Sequence, residues 1–139
     1  MEGFEIVEAV VRSKFGDREV ALFTRRVPQM RSTVPYFLML VIGHKLAKEI
    51  GINKPGAEVV ISWGVGEQQG KVAVAHSTGS GPSWNVYMPG AGHIQISLNP
   101  TPAWVRRHEP LFERSLAFEL VPNGKIQQLI VQLPTKALE

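Results

Sequence analysis

The 139-residue chain predicts an α+β fold, a mostly antiparallel β-barrel or sandwich with one short helix at about residues 43–50, completed by dimerisation. Three observations lead there. Gly 13 and Pro 10 punctuate the chain at short intervals. Between them lie short runs rich in β-branched and aromatic residues, the composition of strands. One segment alone, after Gly43, shifts clearly to a helical period. At this length a single domain is expected, spanning residues 1–136.

Taken in order, Phe4 to Val11 and Val20 to Val27 read as a hairpin about Ser13–Asp17. Pro28 and Pro35 then bracket a basic loop, because proline and the residue before it resist helix. Tyr36 to Ile42 is apolar at every position, which predicts a strand buried on both faces or sealed in a dimer core. Leu46, Ala47 and Ile50 form a helical stripe that Gly51 ends with a left-handed residue. Lys54-Pro55-Gly56 turns the chain into AEVVISW, and WGVGEQQG turns it back into KVAVAHS, completing a central unit of about 36–77.

Thr78 to Ser83 reads as a Gly/Ser tether, and WNVYM and HIQISLN as two further strands. Pro100 to Glu113, with three prolines, carries the one other expected helical turn. A C-terminal hairpin over about 116–133 turns at Asn123-Gly124. Residues 137–139 end in Leu-Glu, a common cloning scar, and are expected to stand outside the fold.

Composition narrows the function. With no cysteine there are no disulfides, thiolate nucleophiles or Cys-ligated zinc. His44, His76, His93 and His108 are scattered without a ligand-spaced companion, and Glu109, Glu113 and Glu119 lack a paired carboxylate pattern. WGVGEQQG leads into a strand, so its glycines lack the helix that a dinucleotide fingerprint requires. Ser80 lacks the spacing of a hydrolase nucleophile. We therefore expect no catalytic residue, metal or cofactor, and no enzyme. No apolar run reaches the length of a membrane helix, and MEGFEIVEAV lacks signal-peptide character, so a cytoplasmic location is expected.

The formal net charge is +3, concentrated early: Arg12, Lys14, Arg18, Arg25, Arg26 and Arg31 face only Asp17 and Glu19 within residues 12–31. Such a cluster suits phosphate contacts, although charged strand edges also serve simply to block aggregation. Trp84, Tyr87 and Trp104 are candidates for an aromatic protein-binding surface.

Residues 38–62, including LVIGHKLAKEIGINKPGAEVVIS, resemble the AbrB/SpoVT/MazE swapped-hairpin family in their strand, short helix, Gly-Ile and strand order. Gly43 stands where that family usually has proline, Ala57 where it has the aspartate of a Gly-Asp turn, and Met39 where a basic residue is frequent. The resemblance implies an obligate homodimer and a DNA-contacting face. The expected function is accordingly a small dimeric regulator bound to double-stranded DNA through the six basic residues. The alternative is a protein-interaction module, an inhibitor or adaptor, without nucleic-acid binding.

Overall fold

The computed structural model describes residues 15–26, 36–77, 79, 81–88, 92–106, 110–124 and 126–138. Within them lie nine strands: β1 (Val20–Arg26), β2 (Tyr36–Gly43), β3 (Glu58–Trp63), β4 (Lys71–His76), β5 (Trp84–Tyr87), β6 (His93–Ser97), β7 (Phe112–Glu113), β8 (Phe118–Asn123) and β9 (Ile126–Gln132). One α-helix, α1 (His44–Glu49), follows β2, and single 3-10 turns occur at Gly66–Gln68 and Thr135–Ala137. The strands form one antiparallel sheet in the order β7-β1-β2-β6-β5-β3-β4-β9-β8, curled into a half-barrel.

The curl is stitched by one stretch of chain. Thr24 N–H donates to Leu111 O at 3.0 Å and Leu116 N–H to Val20 O at 2.9 Å, so residues 111–116 run along β1. Gln132 N–H then donates to Ala117 O at 2.9 Å, and β8 continues along β9. Ser115 supplies the bend between the two partners with φ +55°. That left-handed value is uncommon for a residue with a Cβ, and here it redirects the strand from one sheet edge to the other.

Alternation decides what the curl encloses. Val20, Leu22, Leu38, Leu40, Ile42, Ile94 and Ile96 are all fully buried on the inner face of β1, β2 and β6. Val59, Val72, Val74, Leu129 and Val131 meet them from β3, β4 and β9. Full burial of such a side chain contributes roughly 1.5–3 kcal/mol. β2 lies between β1 and β6 of its own chain, where its Leu38, Leu40 and Ile42 are fully buried.

The short helix forms between two glycine devices. A Cβ on Gly43 would lie 2.4 Å from the carbonyl oxygens of both Gly16 and Asp17, so only glycine lets the 16–19 turn close over the start of α1. No side chain caps that end; Lys45 and Leu46 N–H donate to Asp17 O at 3.0 and 3.1 Å instead. At the far end Gly51, φ +80°, donates to Lys48 O, and Ile52 donates to Ala47 O, both at 3.0 Å. This double hydrogen bond is a Schellman cap, and it lowers Ile52 into the core.

Several expectations need correcting. Among the described residues of 100–113 there is no helical turn; Trp104 lies in a turn and Val105 in a bridge. Ala137 and Leu138, expected outside the fold, belong to it: Ala137 is fully buried and Leu138 bridges Val105. The β8–β9 turn comes one residue later than the Asn-Gly dipeptide suggests, since Asn123 pairs with Ile126 and Gly124 opens the turn at φ +67°. The first strand of the expected N-terminal hairpin and the Pro28–Pro35 loop lie outside the described residues.

Candidate functional site

Of the six basic residues singled out in the sequence, Arg12, Lys14 and Arg31 lie outside the described residues. Arg26 is described in its backbone alone, opposite Tyr36. Arg25 is exposed on the outer face of β1, opposite Phe37. Arg18 points elsewhere. Because the turn carrying it caps α1, its guanidinium reaches Glu49 on the helix and forms an ion pair with that carboxylate.

This fold brings together a basic end that the sequence reading missed. Lys45 and Lys48 are three residues apart and exposed on α1. Lys48 and Lys54 line one shallow depression of about 200 Å³ with Gly51 and Asn53. Of the neighbouring acids, Glu49 is engaged by Arg18, and the Asp17 side chain is exposed. The end of the half-barrel therefore carries Arg18, Lys45, Lys48 and Lys54 against two carboxylates, which leaves it net positive. Their separate places in the sequence, one in a turn before β1 and three around the helix, hid the grouping.

A second polar group has a structural purpose. The Glu19 carboxylate accepts hydrogen bonds from Arg114 Nε and NH2 at 2.6 and 2.7 Å and from Gly16 N at 2.9 Å. The guanidinium beside Glu19 pushes its pKa down to about 2, against the opposing effect of burial. Arg114 also stacks over Phe15, 5.4 Å from the ring centroid, and Phe15 meets His93 edge-on at 5.8 Å. These contacts fasten the bend at Ser115 to the start of β1. The adjoining pocket of about 450 Å³ has Val20, Leu116 and Phe118 among its lining residues and is open and shallow. Among the described residues, no three His, Asp or Glu side chains gather in a way that could hold a metal ion. No described helix is long and apolar enough to cross a membrane.

The aromatic candidates separate. Trp84 is half-buried against the core and its Nε1–H donates to Asn99 O at 2.8 Å. Trp104 is half-buried and packs edge-on against Trp63 at 5.6 Å. Tyr87 alone of the three is exposed, at 61%. It shares the outer sheet face with Phe37 and Phe112, which the sequence reading did not single out as a surface.

Comparison with protein-family models, with curated proteins and with solved structures found no match to this chain.

Proposed function

We propose that the protein is a non-enzymatic nucleic-acid-binding module that grips the phosphate backbone of duplex DNA with the basic end of its half-barrel. The observation that carries this reading is the convergence of Lys45, Lys48 and Lys54 with Arg18 around α1, where Arg18 also neutralises Glu49. Exposed lysines of this kind contact phosphates without reading bases, and they release counterions as they do so. The resemblance of residues 38–62 to swapped-hairpin regulators supports the same reading and adds a dimer, in which a second basic end doubles the phosphate contacts. The interaction-module alternative draws on Tyr87 alone, because Trp84 and Trp104 are committed to packing.

Fluorescence anisotropy against a mixed-sequence duplex at several salt concentrations tests the proposal. Affinity should fall steeply with salt, and the triple variant Lys45→Glu, Lys48→Glu, Lys54→Glu should lose binding while keeping its melting temperature. Single lysine-to-glutamine variants should each lower the log–log salt slope by roughly 0.9. Unchanged affinity in the triple variant would sink the proposal.

A further inference from the structure

Glu49 stands where a short helix gains nothing from a carboxylate. It is the last residue of α1, and the helix dipole disfavours negative charge at a C-terminus. Its ion pair with Arg18 joins the 16–19 turn to the helix, yet backbone groups already make that joint. Gly43 N–H donates to Glu19 O at 2.8 Å, and Lys45 and Leu46 N–H donate to Asp17 O at 3.0 and 3.1 Å. The Glu19 carboxylate, held by Arg114 and by Gly16 N–H, fastens the same turn from its other side. The Arg18 and Glu49 side chains are 44% and 33% exposed, and a solvated ion pair contributes little to stability. A pair that the fold does not need, set among the lysines of the basic end, is open to exchange with a ligand.

We propose that Glu49 sets the affinity of the basic end by competing with phosphate for Arg18, an inference that rests on the nucleic-acid reading. A carboxylate and a phosphate present paired oxygens to the same guanidinium fork, so one substitutes for the other without rebuilding the site. In the unbound protein the carboxylate occupies Arg18, and a ligand is met first by exposed Lys45, Lys48 and Lys54. A nucleic-acid strand carries its phosphates in a row. Once the lysines hold it, a neighbouring phosphate reaches Arg18 at high effective concentration and displaces the carboxylate. Glu49 is not stranded by the exchange, because Lys45 lies four residues earlier on the same side of α1. Glu49 thus lowers the affinity of the basic end, and Arg18 is a phosphate contact held in reserve.

Anisotropy titrations of a mixed-sequence duplex with Glu49→Gln, Arg18→Gln and the double variant provide the test. Glu67→Gln, on the exposed β3–β4 connection, is the charge-matched control. Glu49→Gln should bind at least ~3-fold more tightly than Glu67→Gln, within what release of one exposed ion pair supplies. It should also steepen the log–log salt dependence by roughly 0.9, because one more cation meets phosphate. Arg18→Gln should lose more affinity in the Glu49→Gln background than in the wild type, the coupling that direct competition requires. The melting temperature of Glu49→Gln should match that of the wild type; a clear fall would assign the pair to stability and overturn the inference. Equal gains from Glu49→Gln and Glu67→Gln, or no coupling to Arg18, would also overturn it while leaving the nucleic-acid reading intact. A wild-type chain that does not bind the duplex, or binding indifferent to the triple lysine variant, would overturn that reading and this inference with it.

Discussion

The two halves of the sheet enclose one core but treat their outer faces differently. Across β3, β4, β9 and β8 the outward positions include Glu58, Ser62, Lys71, Glu119, Gln128 and Gln132, so polar groups recur among Val60, Ala73, Ala75, Val121 and Ile130. Across β7, β1 and β2 they are Phe112, Ala21, Phe23, Arg25, Phe37, Met39 and Val41. Solvent suffices as the neighbour of the first surface. The second keeps aromatic rings in water, and Met39 and Val41 fall to 7% and 8% exposure despite pointing outward. The contrast shows that strand alternation is governed by what lies beyond the sheet as much as by the core within it.

The comparison can be broken first from the inside. Leu40→Ala removes a fully buried side chain from the shared core and should cost about 2–5 kcal/mol in denaturant unfolding. The same truncation at outward Phe112 should change monomer stability by no more than ~0.5 kcal/mol. If the two costs are similar, the division into inner and outer faces is wrong. Next in size is Gly43→Ala, whose Cβ would meet two backbone carbonyls at 2.4 Å. Overpacking against backbone should cost about 1–3 kcal/mol and should loosen α1, read as faster amide exchange at Lys45 and Leu46.

The bend at Ser115 gives a pH-dependent prediction. Glu19 has its folded pKa depressed to about 2, so its contribution is present above the ordinary carboxylate range and is lost as pH falls toward 2. Thermal melts between about pH 5 and pH 2 should therefore show an acid limb that Glu19→Gln flattens. An unchanged limb in that variant would mean that Glu19 is not tied to Arg114 in solution. The smallest expected effect is Ile130→Ser on the polar half, within ~0.5 kcal/mol in denaturant unfolding.

Much of the fold was legible because its signals are local. The β3–β4 and β8–β9 hairpins follow from alternation around glycine turns, and α1 from a change of period ended by Gly51. Strand order was not legible. β6 and β5 lie between β2 and β3, although the helix joins β2 to β3 directly along the chain. The Glu19–Arg114 pair spans 95 positions, so no local pattern announces it. Ala137 looks like part of a tail until Arg106 N–H is seen donating to its carbonyl at 2.7 Å. At the candidate site the early arginines drew attention as a run, whereas Lys45, Lys48 and Lys54 read as the solvated side of a helix and its exit turn. Only the closure of the 16–19 turn on α1 puts Arg18 among them. Phe37 and Phe112 are 75 positions apart, and their common face exists only through the pairing of β1 with both β2 and β7.

The most direct test of the contrast is fluorine NMR of protein labelled with fluorophenylalanine, titrated with a soluble paramagnetic probe. Phe37 and Phe112 report on the outer face of the first half, and Phe118 on the packed side of the second. The resonances of Phe37 and Phe112 should broaden with the probe while that of Phe118 is protected. Equal broadening of all three, or broadening confined to Phe118, would contradict the division of the sheet into an enclosed inner face and an outer face that keeps Phe37 and Phe112 in water.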